Sequence, residues 1–192
     1  SDVYKRQAQV YGNARVFGDA WVSGNARVFG NARVFGDAQV FSNARVFSNA
    51  RVFGNTQVYG DALVFGNAQV YGDARVFGNT QVYGDAHVYG DARVSDDALV
   101  FGNARVSGNA RVSDDARVSN NNQHCGFDCF GSSNRHTHAY LTKDNKVEIT
   151  CGCFRGSIEE FEKKVEETHK GTVYEKQYKA IVNLIKIKFG IE

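Results

Sequence analysis

Hydrophobic and polar positions alternate in a six-residue phrase along most of the chain. From Ala8 to Asn121 the phrase Ala-x-Val-Phe/Tyr/Ser-Gly-Asn/Asp follows itself nineteen times without an insertion, with few substitutions. Side chains of a strand point alternately to its two faces. The phrase Ala14-Arg15-Val16-Phe17 therefore predicts a short strand with Ala and Val on the inner face and Arg and Phe on the outer face.

A turn is expected at the end of every phrase. Gly18-Asp19 suits a turn because Gly adopts positive φ freely, and Asn or Asp is the next residue best suited to it. A period of six is too short for a helical repeat or a propeller blade and is typical of a parallel β-helix. Three phrases make one coil of eighteen residues. The whole array then gives a little over six coils, about 30 Å long at a strand spacing of about 4.8 Å.

The array resembles the hexapeptide-repeat family of left-handed parallel β-helices. In that family an aliphatic residue opens each hexad and a small residue lies four positions later, as Val10 and Ala14 do here. The resemblance implies a left-handed, triangular, all-β solenoid over residues 8–121 and says little about function. One position departs from the family's enzymes: the residue after Val is Phe or Tyr in fourteen hexads and Ser in the other five.

A change of composition after residue 121 marks a second region, 122–192. His136 to Thr142 and Lys146 to Cys153 are predicted to pair as a hairpin, with Asp144-Asn145 as a two-residue turn. Ser157 and Glu160 have the spacing of a capping box, so a helix is expected from there, and a second one after Gly171. The order ββαα predicts a small α+β domain that caps the open end of the solenoid, with its last helix available for a homodimer contact.

Charge and hydropathy narrow the function classes. The formal net charge is +2, and the repeats contain ten Arg and ten Asp. Naked nucleic acid is therefore a less favoured partner than a protein or a ribonucleoprotein complex. No apolar run is long enough to span a membrane and no secretory signal is visible, which favours a cytoplasmic protein. Residues 1–7 are out of register with the repeat and are interpreted as an N-terminal remnant.

Outward residues three hexads apart should stack in columns of aromatic side chains beside columns of Arg. Rows of exposed Phe and Tyr would form apolar patches of the size that marks interfaces, and Arg and aromatic residues are enriched at interface hot spots. The alternative is that the columns only hold the coils in register. The predicted binding residues are Arg15, Arg27, Phe29, Arg33, Phe35, Arg45, Phe47, Arg51, Phe53, Phe65, Tyr71, Tyr83 and Tyr89.

Catalysis is not expected. The acyltransferases of the hexapeptide-repeat family use a catalytic His and a loop that breaks the array, whereas no loop interrupts these repeats and His87 is their single His. The carbonic anhydrases of this fold need three His around a metal. Ice-binding β-helices use outward Thr rows, but Thr56 and Thr80 occupy inward positions. No cofactor is predicted.

The predicted hairpin contains the one arrangement with metal-binding potential. With a two-residue turn, His136 falls opposite Cys153 and His138 opposite Cys151, so all four side chains would share one face. Such a set could hold a structural zinc ion. Buried free thiols at the edge of a small core are the favoured alternative, and disulfides are a third if the protein is secreted.

The stretch from Cys151 to Phe161, with Thr168-His169 and the Tyr-rich last helix, resembles a small domain found on phage and prophage proteins. That resemblance implies a phage origin and a place in the host bacterial cytoplasm. It favours a non-catalytic rod that inhibits a host defence complex, such as a CRISPR nuclease, through its Arg and aromatic faces. A self-assembling structural rod or stalk is the first alternative, and a hexapeptide-repeat acyltransferase is a weaker one.

Overall fold

Parallel strands wind into a triangular solenoid of about six turns, followed by a small domain with one sheet and two helices. The computed structural model describes residues 7–191, so the prediction for residues 1–6 lies outside the described part of the chain. The solenoid and the α+β composition of the second region are confirmed. None of the helices in the described range is long and apolar enough to cross a membrane.

Three parallel sheets form the sides of the prism, and each strand pairs with the strand eighteen residues away. The first sheet contains β1 (Gln9–Val10), β4 (Arg27–Val28), β7 (Arg45–Val46), β10 (Leu63–Val64), β13 (Gln81–Val82), β16 (Leu99–Val100) and β19 (Arg117–Val118). The second contains β2 (Arg15–Val16), β5 (Arg33–Phe35), β8 (Arg51–Phe53), β11 (Gln69–Val70), β14 (His87–Val88) and β17 (Arg105–Val106). The third contains β3 (Trp21–Val22), β6 (Gln39–Val40), β9 (Gln57–Val58), β12 (Arg75–Val76), β15 (Arg93–Val94) and β18 (Arg111–Val112).

The core of the prism consists almost entirely of Ala and Val. From Ala26 to Val118 these side chains are completely or almost completely buried. Thr56 and Thr80 take two inward Ala positions and satisfy their hydroxyls by donating to the carbonyls of Phe53 and Phe77. The inward positions that the sequence predicts for Ala and Val are therefore confirmed by the burial of these side chains.

The corners between strands depend on a left-handed backbone residue. Gly78 has φ of +76°, and a Cβ atom there would lie 2.7 Å from the amide nitrogen of Asp96 in the next coil. Such a distance is too short for a real side chain, so the close approach of coils favours Gly at this corner. Ser42, Ser48, Asp96 and Asp114 take the same position with positive φ at four other corners.

The C-terminal domain has two more strands than the sequence predicted. An antiparallel sheet runs in the order β20 (His124–Phe130), β21 (Arg135–Leu141), β22 (Val147–Cys151) and β23 (Phe154–Ser157), followed by α1 (Ile158–His169) and α2 (Val173–Phe189). The strands β20 and β23 contain Gly126 and Gly156, which weaken the strand signal in the sequence. The capping box is confirmed, since Ser157 and Glu160 exchange both bonds.

The hairpin of β21 and β22 has a different register from the predicted one. Thr137 pairs with Cys151 and Leu141 pairs with Val147, which shifts the strands by one residue. The cause is a three-residue loop, in which Asn145 adopts φ of +57° and the Thr142 amide donates to the Lys146 carbonyl at 2.9 Å. Three-residue hairpin loops commonly consist of a turn followed by a residue with left-handed backbone conformation. Such a loop is one residue longer than the predicted two-residue turn.

The sheet of the second domain covers the last coil of the solenoid. The Tyr140 side chain is completely buried and belongs to the apolar core of the prism. Its hydroxyl lies 3.2 Å from the Ser113 hydroxyl, and Ala116 forms a bridge with Thr142. Two ion pairs add to this contact: Lys143 with Asp115 at 3.1 Å, and Arg155 with Asp114. These contacts are those expected of a cap over the open end of the β-helix.

Candidate functional site: the charged faces of the solenoid

A polar groove runs along the second sheet of the prism, and we call it the Arg groove. It has a volume of about 680 Å³. Its lining consists of Asn13, Arg15, Asn31, Arg33, Asn49, Arg51, Asn67, Gln69 and Asp85. The repeat places one Arg and one Asn from each of three successive coils side by side. Through the first four coils the lining contains no carboxylate.

A ladder of side-chain amides forms one wall of the Arg groove. Asn31 donates to the Asn49 side-chain oxygen at 3.2 Å, Asn49 donates to Asn67 at 3.2 Å, and Asn67 donates to Asp85 at 3.0 Å. In each of these bonds the donor belongs to one coil and the acceptor to the next coil toward the C-terminus. The carboxylate of Asp85 accepts but cannot donate, so the ladder ends there. One N–H of each amide is therefore used within the wall itself.

The Arg side chains form the other wall and have no acidic partner. Arg15, Arg33 and Arg51 are exposed. No carboxylate of the described residues forms an ion pair with any of them; the ion pairs of the solenoid involve only Asp114 and Asp115. The Asp19 and Asp37 side chains lie at the next corner of the prism, outside the groove lining. The three guanidinium groups are therefore free to meet an anionic group from outside.

Aromatic columns flank the Arg columns on the first and second sheets. The Phe29, Phe47 and Phe65 rings stack with centroids 4.9 Å apart and interplanar angles of 2–3°. The Phe35, Phe53 and Tyr71 rings form the equivalent column on the second sheet. The rings of both columns point outward but are only partly exposed from the second coil onward. Face-to-face stacking leaves ring edges rather than ring faces in contact with solvent.

The predicted binding residues therefore lie on two neighbouring surfaces. Arg15, Arg33 and Arg51 share the Arg groove, and Arg27 and Arg45 line a smaller groove of about 320 Å³ beside the first sheet. Tyr83 continues the aromatic column of the first sheet, and Tyr89 that of the second. The amide ladder was not predicted. Its signal was present, since Asn recurs at the same corner every eighteen residues from Asn13 to Asn67.

The predicted zinc set does not come together. Because the hairpin register is shifted by one residue, Cys151 lies on the helix side of the sheet with Thr137, whereas His138 faces the solenoid. A one-residue slip moves a side chain to the opposite face of a strand. Among residues 7–191, no three His, Cys, Asp or Glu side chains are arranged to hold a metal ion. In the same range, the thiols of Cys125, Cys129, Cys151 and Cys153 are all free.

The rings of His124, His136 and His138 lie together instead where the cap contacts the last coils. The Nδ1 atom of His138 donates to the Arg111 carbonyl at 2.8 Å, and its Nε2 atom lies 3.1 Å from Nδ1 of His124. Burial lowers the pKa of His124 to about 4 and the pKa of His138 to about 3. Both rings are therefore neutral at physiological pH.

A groove of about 900 Å³ lies beside this cluster, between the cap and the third sheet. His136 Nδ1 contacts the Asp128 carboxylate there at 2.6 Å, and this bond lowers the pKa of Asp128. The other ring nitrogen of His136 is buried and has no partner. That nitrogen lies against Gly126 of β20.

Seven segments of the solenoid match the family model described as YdcK Beta solenoid repeat. They span residues 8–24, 26–42, 56–72, 68–84, 92–108, 100–113 and 104–120, which together cover just under half of the chain. No curated protein matches the chain. With the fold, these matches identify the chain as a β-solenoid repeat protein.

Proposed function

We propose that this chain is a non-catalytic, protein-binding β-solenoid whose Arg groove and adjoining aromatic columns form the recognition surface. The observation that carries the proposal is the set of three exposed Arg side chains that have no acidic partner among residues 7–191, beside a wall of amides bonded to one another. Exposed, unpaired guanidinium groups retain their full capacity for bidentate bonds to carboxylates or phosphates.

The rigidity of the prism supports a binding role. Each coil is bonded to the next through backbone bonds of 2.8–3.1 Å, such as Arg33 N to Ala50 O at 2.9 Å. The columns of side chains are therefore held at a constant spacing before any partner arrives. A preorganised surface loses less conformational entropy on binding than a mobile one does.

The chemistry of the Arg groove and of the repeats supports a non-catalytic role. The Arg groove contains guanidinium and amide groups, which bind anions and dipoles but do not act as nucleophiles or general bases near neutral pH. His87, the one His of the repeats, packs edge-on against Tyr71 with ring centroids 6.2 Å apart. The array is also continuous, without the loop that the acyltransferases of the resembling family use.

The partner in this proposal is a protein or a ribonucleoprotein complex. Inhibition of a host defence complex, such as a CRISPR nuclease, stays a prediction that depends on the resemblance of the C-terminal domain to phage proteins. The wider proposal does not need it, because the Arg groove would contact any partner that presents a row of acidic groups.

Capture from bacterial lysate tests the proposal when it is combined with matched charge variants. The variant Arg33→Glu/Arg51→Glu reverses two charges in the Arg groove. The control Arg75→Glu/Arg93→Glu makes the same change in two adjacent coils of the third sheet. We expect the wild type and the control to retain one protein or ribonucleoprotein at fixed stoichiometry, and the groove variant to lose it at least tenfold. Equal retention by both variants would exclude the Arg groove as the binding surface.

Nuclease treatment of the same lysate separates the two kinds of partner. A complex that survives treatment is held through protein, and one that is lost is held through nucleic acid. Purified nucleic acid that binds by itself with the same dependence on Arg33 and Arg51 would contradict the protein-binding proposal.

A further inference from the structure

Most charges of the solenoid have no ion-pair partner among the described residues, and they are sorted into columns. Among the described residues, none of the ten Arg of the repeats makes an ion pair, and of the ten Asp only Asp114 and Asp115 do so, with the cap. On the second sheet, Arg15 and Arg33 stand at the start of their strands. Asp19 and Asp37 stand at the corner that follows the same strands, and all four side chains are exposed.

The spacing of the columns limits the kind of partner that can pair with them repeatedly. Successive coils are separated by the stacking distance of their rings, which is 5.0 Å between Phe17 and Phe35. Strands of a β-sheet repeat at about 4.7–4.9 Å. Phosphates along one strand of B-DNA advance by about 3.4 Å and move out of step with the Arg column after one or two coils. The strands of a second β-solenoid have the same spacing, so its side chains stay opposite the Arg column over the whole length of the prism.

We propose that two copies of this chain associate side by side through their second sheets. A two-fold axis parallel to the prism axis places each coil opposite the same coil of the other copy and reverses the strand direction. Arg15 and Arg33 at the strand starts then face the strand ends of the second copy, where Phe17, Asp19 and Asp37 lie. The contact is isologous, so each Arg-to-Asp pairing occurs twice.

This association rests on the proposed binding role of the Arg groove, and it names a second copy of the chain as the partner. Exposed ion pairs stabilise a contact only weakly and are screened by salt. The dimer is therefore weak and sensitive to ionic strength. The association constant is expected to fall at least about tenfold between 50 mM and 500 mM salt, since the Debye length shortens from above 10 Å toward a few Å.

Sedimentation equilibrium of the purified chain, over a range of concentrations at both salt levels, measures this constant directly. The expected result is a monomer–dimer equilibrium that weakens with salt. A wild type that stays monomeric at 50 mM salt, or a dimer indifferent to salt, overturns the inference. A monomer that still captures a lysate protein through Arg33 and Arg51 overturns the self-association alone and leaves the protein-binding function in place.

Complementary charge reversals locate the contact. The variant Arg15→Asp/Arg33→Asp has acidic residues both at the strand starts and at the corners that follow. The variant Asp19→Arg/Asp37→Arg has Arg at both places. Each variant alone is expected to lose dimerisation at least tenfold, because like charges then face each other. An equimolar mixture should restore a heterodimer, since every acidic column of one copy then faces an Arg column of the other.

The control Arg75→Asp/Arg93→Asp reverses two charges on the third sheet and should leave the dimer unchanged. Loss of the dimer in this control, or a mixture that stays monomeric, contradicts the proposed geometry. All substitutions are at exposed positions, and circular dichroism of each variant verifies that the solenoid is folded.

Discussion

The Nδ1 atom of His124 lies 3.1 Å from the Nε2 atom of His138, inside the contact between the cap and the last coils. His138 donates its other nitrogen to the Arg111 carbonyl at 2.8 Å, so its Nε2 must act as an acceptor, and His124 must be the donor of the pair. Protonation of His138 would place two N–H groups against each other. This bond therefore requires the neutral form of His138, and burial favours the neutral form of His124 as well.

Acid is expected to destabilise the contact between cap and solenoid. Burial lowers the pKa of His124 to about 4 and of His138 to about 3, whereas an unfolded His titrates near 6.5. Because the unfolded state binds protons first, the stabilisation is complete above pH 6.5 and is lost as the pH falls toward 3. The neighbouring charges are Lys188, which also lowers the pKa of His124, and the His136–Asp128 pair.

Thermal unfolding between pH 8 and pH 4 measures this effect. The variant His138→Asn keeps a donor for the Arg111 carbonyl but has no group that titrates, so its loss of stability with acid should be clearly smaller. The variant His87→Gln, in the middle of the array, serves as the control and should keep the full dependence. An identical pH profile for all three proteins would contradict the role of the buried pair.

A methyl group at Gly78 should destabilise the solenoid more than one at Gly108. Both residues have positive φ, but a Cβ atom at Gly78 would lie 2.7 Å from the Asp96 amide nitrogen, whereas nothing lies within 4 Å of one at Gly108. Left-handed strain costs about 1–2 kcal/mol at either position. We expect Gly78→Ala to lower the free energy of unfolding by at least about 1 kcal/mol more than Gly108→Ala in urea denaturation, from the added cost of overpacking.

Removing a donor from the amide ladder should cost more stability than replacing its final acceptor. Asn49 accepts from Asn31 and donates to Asn67. Asn49→Asp removes the donor and should lower the free energy of unfolding by about 0.5–1.5 kcal/mol. Asp85→Asn keeps the oxygen that accepts from Asn67 and should change stability by less than about 0.5 kcal/mol. Equal effects in denaturant titrations would show that the ladder bonds do not contribute.

The position of a ring within its column should decide the cost of removing it. Phe47 stacks on Phe29 and Phe65 at 4.9 Å, whereas Phe101 stacks on Tyr83 alone, at 5.2 Å, among the described residues. Each stacked pair contributes about 0.5–1.5 kcal/mol beyond area burial. Phe47→Ser should therefore destabilise the chain about twice as much as Phe101→Ser in thermal or urea unfolding. A larger effect at Phe101 would contradict the stacking account.

Removing three rings at once separates binding from folding. The side chains of Phe29, Phe47 and Phe65 point outward, and Ser already occupies the equivalent position in five hexads. The structural-rod alternative predicts that the triple Ser variant keeps the parallel solenoid by circular dichroism, at lower stability, and loses association through the first sheet. Unchanged association would exclude that sheet as an assembly surface.

The sequence by itself determined the solenoid, because the determinants are local and repeated. Ala and Val at alternate positions, and Gly or a small polar residue at each corner, specify strand, face and turn within six residues, and nineteen copies leave no other consistent period. The start of α1 at Ser157 was equally readable, since its capping box lies within four residues.

Only the tertiary structure decided the rest. The conformation of one loop residue, Asn145, set the register of the cap hairpin and thereby placed His138 and Cys151 on opposite faces. Ring stacking between coils decided how much of each aromatic side chain is exposed, and corner geometry separated the Arg columns from Asp19 and Asp37. These properties depend on contacts between residues eighteen or more positions apart, so they follow from how coils stack and how the cap docks rather than from any local pattern.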